Sequence, residues 1–257
     1  MSGVRVEVDS VHGGRWVSLT GPDGKEWLWR RDAPERDAVR PGDPFVDAGG
    51  VEECYPTIGG QPDHGAVWSR PWQVDGPGLR VHGDDFDLNR TIRVEGDEVV
   101  GTYRLLAPPG HRFIWAAHAL LALSTAARVE LPAGHPMTVD LPDRSETAAW
   151  PLLDGADLSM FGPADGTVMG IRLPDLSAAT VVDGDSRLTL ALEVDGQPVG
   201  VMLWRNLGGW PEAAPYRSTG VEPMIGHRAT LANAGPGEAG VVPTSGEVSW
   251  TLRIAAS

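Results

Sequence analysis

The chain has 257 residues, 41% of them hydrophobic and 22% charged, enough to bury a large core without metal or disulfide staples. Cys54 is the single cysteine, so no intrachain disulfide can form. The 35 acidic residues outnumber 21 basic ones, and the resulting formal charge of -14 repels phosphate backbones and anionic lipid headgroups, which argues against nucleic acid and membrane surfaces as partners. The same field suits a neutral small molecule better than an anionic one, unless the fold gathers a cationic group such as Arg70, Arg205 and Arg217.

Read from its start, MSGVRVEVDS shows neither the basic nor the apolar region of a secretory signal, so a cytoplasmic protein is expected. Residues 4–8, VRVEV, alternate apolar with polar side chains as a half-buried strand does, and GPDGK (21–25) reads as a hairpin turn. Next comes an irregular stretch from 49 to 72, GGVEECYPTIGGQPDHGAVWSRPW, rich in glycine, acidic and aromatic residues. DFDLN (85–89) begins like a calcium loop, but Arg90 stands where the turn glycine belongs and Gly96 where the last glutamate belongs; it reads as the exposed start of a strand. TIRVE (91–95) and the turn EGDE (95–98) follow. The most apolar segment, FIWAAHALLALSTAARV (113–129), contains His118 and falls short of the roughly 20 apolar residues a membrane helix needs. Further on lie the turn DGD (183–185), RLTLALE (187–193) and VSWTLRI (248–254).

No helical period runs for ten residues, and the 33 glycines and 22 prolines are spread evenly, as turn chemistry between many short strands requires. The expected architecture is all-β: one domain over 1–257, a large sandwich of antiparallel sheets, acting as a monomer or homodimer. Strand should exceed about 40% of residues and helix stay below about 10%, against the usual 20–25% and 30–35%.

The chain carries no GxSxG elbow, no phosphate-binding glycine loop and no HExxH or paired CxxC metal motif. Cys54 reads as a small buried hydrophobe. Three ionisable residues lie instead in apolar or aromatic surroundings: His64 in PDHGAVWSRPW, His118 in FIWAAHALLAL and Glu222 in TGVEPMIG. Each has a structural explanation when taken singly, as a turn histidine, a core histidine and a partner for Arg217. Burying charge is costly, so three such positions in one chain ask for a joint explanation.

The sequence resembles the aldose 1-epimerase, or galactose mutarotase-like, superfamily nearly end to end. GGRWVSLTGPDGKEWLW (13–29) is similar to its opening hairpins, and GGVEECYPTIGG with PDHGAVWSRPW to the segment bearing its first site histidine. FIWAAHALLALSTAARVELPAG (113–134) resembles the strand of its second histidine, LWRNLGGWPEAAPYRSTGVEPMIG (203–226) the stretch ending in its EP motif, and GEVSWTLRI (246–254) its closing strand. The resemblance implies a many-stranded β-sandwich with Glu222 as catalytic base, His118 as acid and His64 as a third polar group on the sugar ring. It implies no metal and no organic cofactor. Flat aromatic faces suit sugar C–H faces, so Trp68, Trp72 and Trp204 are expected to bind substrate, with Arg70, Asn206 and Glu53 as partners for hydroxyls. Two further readings stay open: a pocket of this kind serving dehydration, proton abstraction or cyclisation of a non-sugar metabolite, and a carbohydrate-binding protein without turnover.

Overall fold

The computed structural model describes residues 3–257. Strands make up 51% of the residues and there is no α-helix among those described, so the all-β expectation holds. An eleven-stranded and an eight-stranded antiparallel sheet pack face to face, and a two-stranded ribbon pairs Arg112–Phe113 with Gly240–Val241. The alternating segments read from the sequence are strands: Arg5–Asp9, Asp87–Glu95, Ser186–Val194 and Glu247–Ala256. The turns are hairpins as well. Glu95 pairs with Glu98 around Gly96–Asp97, and Asp183 with Ser186 around Gly184–Asp185.

At the centre of the larger sheet run Val51–Cys54, Trp115–Leu121, Tyr216–Ile225 and Val199–Trp210, side by side in that order. The second of these is buried along its whole length because both faces of the sheet are covered there, which is why its sequence reads as one apolar run. Side-chain parity separates the faces. Trp115, Ala117, Ala119 and Leu121 point into the core between the sheets, together with Val221, Ile225, Val201 and Leu203. Across the core they meet Leu88, Tyr103, Leu105, Leu190, Trp250 and Leu252 of the smaller sheet. On the opposite face, Cys54, Ala116, Met202 and Met224 form a second apolar cluster with Ile58, Ile114, Ala234 and Ala239, beneath the loops near 58 and 234.

One charged group is built into the inter-sheet core. Glu53 is fully buried and accepts hydrogen bonds from Arg90 Nη1 (2.5 Å), the Tyr103 hydroxyl (2.8 Å) and Trp115 Nε1 (2.8 Å). Arg90 also donates to the Gly14 carbonyl at 2.6 Å and lies 4.8 Å from the Trp72 ring centroid. The Glu53–Arg90 pair bridges the two sheets, and removing one buried partner strands the other's charge. Arg90→Met should therefore lower the unfolding free energy by about 3–5 kcal/mol. Urea denaturation checks this, and a loss below about 1 kcal/mol would mean that the pair is solvated or dispensable.

Candidate active site

The covered outer face of the large sheet carries a row of polar side chains, which strand register explains. Glu52 pairs with His118, and Met202 with Glu222. Val221 pairs with Ala119 and Met224 with Ala116, so Glu222 stands directly across from His118. Residues 52, 118, 222 and 202 thus form one line across four strands, all on the same face.

His118 Nδ1 lies 2.9 Å from Glu222 Oε1, and both side chains are buried. The contact is a close ion pair rather than a well-directed hydrogen bond, because neither that nitrogen nor either Glu222 oxygen has a hydrogen-bond partner of good geometry among the described residues. Nδ1 and both Glu222 oxygens are buried, and Nε2 is the remaining ring nitrogen, with no hydrogen bond to a described residue. Burial on its own would depress the His118 pKa, but the Glu222 carboxylate beside it, helped by Asp47 and Glu52, raises it from 6.5 to about 9. His118 is therefore an imidazolium at neutral pH, and its charge answers the buried carboxylate.

His64 approaches from the irregular segment. Its ring centroid lies 5.1 Å from that of His118, edge to face, and the ring stacks on Phe45 at 3.6 Å. The backbone at His64 is left-handed, with φ of 57°, an uncommon conformation for a residue with a side chain. Gly65 follows at φ of 79°, its Cα packed so tightly on the Tyr55 backbone that a Cβ would come within 2.1 Å of the Tyr55 carbonyl oxygen. The His64 N–H donates to the Ile58 carbonyl at 2.7 Å, and Nδ1 lies 2.9 Å from Asp63 Oδ1. Loss of solvation lowers the His64 pKa and the His118 cation acts in the same direction, against the upward pull of Asp63. Two neighbouring histidines are thus held in opposite charge states, the condition in which acid and hydrogen-bonding roles separate.

The three residues line one cavity of about 280 Å³ with Phe45, Asp47, Asp63, Met202, Trp204 and Trp210. Among the described residues no group of three His, Cys, Asp or Glu side chains is arranged to hold a metal ion.

No protein-family model matches the sequence, and no curated protein matches it. Solved structures share the architecture. The Slr1438 protein from Synechocystis sp. PCC 6803 superposes with a TM-score of 0.75 at 18% identity, over 100% of this chain and 92% of that one. An Escherichia coli K12 protein provisionally named an aldose 1-epimerase gives 0.73 at 14% identity, over 99% and 96%. A galactose mutarotase-like protein from Lactobacillus casei ATCC 334 gives 0.65 at 14%, over 100% and 98%. The chain has the galactose mutarotase-like fold.

Within this galactose mutarotase-like sandwich the residues expected to bind substrate divide. Trp204 lines the cavity, with its Nε1 3.3 Å from the Ser218 hydroxyl. Glu53 does not reach it, because strand parity turns Glu53 into the inter-sheet core and leaves Glu52 on the face of His118. Glu52 is itself held by Arg36 at 2.8 and 2.9 Å. Trp72 also belongs to the core, with its ring beside Arg90 and its Nε1 3.3 Å from the Val67 carbonyl. Trp68 is buried behind Phe45 and Arg36 and donates to the Asp63 carbonyl at 3.0 Å, so it braces the His64 loop from outside the cavity. Arg70 spends its donors on the Ala66 and His82 carbonyls. Arg217 bonds the carbonyls of Gly162, Leu123 and Ser124, so Arg70, Arg205 and Arg217 do not gather at the cavity.

Asn206 is fully buried and acts on the backbone. Its Oδ1 accepts from the N–H groups of Gly208, Gly209 and Trp210 at 3.0–3.2 Å, and its Nδ2 donates to the Trp210 carbonyl at 2.8 Å. It thereby fixes the irregular hairpin end where pairing shifts between Leu207 and Trp210, and so places Trp210 on the cavity rim. Phe45 and Asp47 escaped the sequence reading because they lie in an aperiodic loop. Asp47 is tied down there by the Tyr216 hydroxyl (2.6 Å) and the Gly49 N–H (3.0 Å).

The native state binds the His118 proton more tightly than the unfolded chain does, so this proton's contribution to stability is complete below about 6.5 and is lost as pH rises through about 9. In an NMR titration the His118 ring should show a midpoint near 9. Glu222→Gln removes the charge and keeps the burial, so the midpoint should drop below 6.5. An unchanged midpoint in the variant would show that Glu222 does not hold the proton.

Proposed function

We propose that the protein is an aldose 1-epimerase, which interconverts the anomers of a reducing sugar by acid/base ring opening. The observation that carries this reading is the buried His118–Glu222 pair, 2.9 Å apart at the base of a tryptophan-walled cavity. The anomeric hydroxyl and the ring oxygen of an aldose are bonded to the same carbon, so a base for one and an acid for the other must be close neighbours, as these two are. Names borne by proteins of the same fold, aldose 1-epimerase and galactose mutarotase-like, support it.

In this mechanism Glu222 takes the proton of the anomeric hydroxyl while His118 Nε2 delivers its proton to the ring oxygen. The C1–ring-oxygen bond breaks and C1 becomes the aldehyde carbon. After rotation about the C1–C2 bond, the ring hydroxyl attacks the other face, giving its proton back to His118 as the carbonyl oxygen recovers one from Glu222. His64, neutral and stacked on Phe45, hydrogen-bonds the ring oxygen or an adjacent hydroxyl through Nε2. Both protons return to where they began, so a turnover leaves the pair ready for either anomer.

Glycoside hydrolysis fits less well, since it calls for two working carboxyl groups separated by about 5–9.5 Å. The other two carboxylates on this wall are engaged, Asp47 by Tyr216 and Gly49 and Asp63 by His64. A module that only binds sugar has no use for a buried base held against a protonated acid.

Polarimetry or NMR exchange on freshly dissolved aldoses, against the spontaneous rate in the same buffer, tests the reading. Glu222→Gln and His118→Asn should each lower kcat by about 10²- to 10⁴-fold with a smaller effect on KM. The double variant should lose little more than either single one, because each proton transfer depends on the other. The wild-type rate should fall as pH passes about 9, where His118 loses its proton. Failure to accelerate any aldose would overturn the assignment, and full activity in both variants would overturn the roles given to the two residues.

A further inference from the structure

His64 has two ring nitrogens, and the fold commits one of them. Nδ1 lies 2.9 Å from Asp63 Oδ1. Nε2 has no hydrogen bond to a described residue and is not sealed in the interior; it belongs to a side chain that lines the catalytic cavity and keeps 19% of its surface exposed. A carboxylate only accepts, so the proton in the contact with Asp63 is carried by Nδ1. Loss of solvation and the neighbouring His118 cation keep the ring neutral against the pull of Asp63, which leaves it a single proton. With that proton on Nδ1, Nε2 presents a lone pair.

We propose that Asp63 is a positioning residue that fixes this tautomer of His64, so that Nε2 is an acceptor and takes the hydrogen of a substrate hydroxyl. A ring oxygen has no hydrogen to offer, so the hydroxyl beside it is the partner selected. Calling that group a sugar hydroxyl rests on the epimerase reading; the tautomer does not.

The dyad is held for this task and for no other. Among the described residues the Asp63 carboxylate makes one hydrogen bond, to His64. Its backbone is pinned separately, since the Asp63 carbonyl accepts from Trp68 Nε1 at 3.0 Å, the His64 N–H donates to the Ile58 carbonyl at 2.7 Å and the Gly65 N–H to the Pro62 carbonyl at 2.9 Å. The left-handed backbone at His64 is a conformation that persists only where the surroundings over-determine it, as these bonds do. The ring plane is fixed as well. It lies within 9° of the Phe45 ring at 3.6 Å and stands at 75° to His118, so a flip exchanging the two nitrogens has to leave the stack and break the contact with Asp63. The result complements His118. An imidazolium can only donate, and a second donor aimed at the same ring oxygen would compete with it, whereas an acceptor beside it serves the next oxygen along.

Nitrogen NMR on isotopically labelled histidine reads the tautomer directly, because protonated and bare ring nitrogens resonate far apart. His64 should be the Nδ1–H form in the wild type and lose that preference in Asp63→Ala, which removes the carboxylate and leaves the backbone bonds of the loop in place. An Nε2–H ring in the wild type, or the same tautomer in the variant, overturns the role of Asp63. The wild-type spectrum decides the tautomer even if the variant does not fold. A second arm compares an accepted aldose with its monodeoxy analogues by NMR exchange. Removing one particular hydroxyl should raise the wild-type KM about tenfold with a smaller effect on kcat, the loss expected when an acceptor is left without its partner. The same removal should cost less than about twofold in Asp63→Ala, where the acceptor is no longer fixed. No such hydroxyl in the wild type, or a penalty that survives in the variant, overturns the acceptor assignment. A protein that accelerates no aldose yet shows the Nδ1–H ring refutes the epimerase reading, and the sugar hydroxyl with it, while the tautomer stands, so the two fail apart.

Discussion

A carboxylate buried with no protein hydrogen bond of good geometry is tolerable only beside a cation, and that constraint organises this molecule. Glu222 and His118 answer each other across two paired strands, and the alternation of side chains lets them do so on one face while their neighbours Val221, Ala117 and Ala119 build the core on the other. A register slip of one residue would exchange the two populations. The apolar packing that fixes the register therefore also fixes the placement of the His118–Glu222 pair, and neither can be altered alone.

The surrounding loops are held by a second buried charge pair. Arg36 donates to Glu52 Oε2 and lies 2.8 Å from Oε1, and it also donates to the carbonyls of Val46, His12 and Trp68. One guanidinium thus ties three pieces of chain to the strand bearing Glu52: the segment carrying Phe45 and Asp47, the turn near His12 and the loop that follows His64. Arginine suits this position because its planar, permanently charged group offers five donors in fixed directions. Burial pushes the Glu52 carboxyl up while Arg36 and Arg15 pull it down, and its position next to His118 contributes to that histidine's raised pKa.

Much of this was legible in the sequence, and what was not has identifiable causes. VSWTLRI and RLTLALE alternate because one face of the smaller sheet is wet, so their period of two survives in the text. FIWAAHALLAL carries no period because the sheet there is covered on both sides, and only the lone histidine marked its outer face. The same double covering hid the difference between Glu52 and Glu53: in VEEC every position is buried, so no polar partner in sequence says which glutamate faces the cleft. The parity of His118 and its pairing with Glu52 decide it, and pairing is not written locally. Trp68 and Trp72 were placed by proximity to His64, but a tryptophan two turns of loop away serves packing as readily as binding. Asn206 was expected on sugar hydroxyls and instead satisfies backbone N–H groups, a role that exists only once the strands are paired out of step. The three residues at the centre, His64, His118 and Glu222, were found because a charge in apolar company is conspicuous wherever it falls.

The hairpin end held by Asn206 has a consequence for how such a molecule can diversify. The pair His118–Glu222 lies in mid-strand, where change would disturb both faces of the sheet, whereas Trp210 sits on a protruding tip whose shape depends on one amide side chain. Lengthening or rewriting that tip would alter what the cleft admits while the strands beneath keep their registration. The buried pair and the entrance to its cleft are therefore carried on separate pieces of chain, so the entrance can be reshaped without moving the pair.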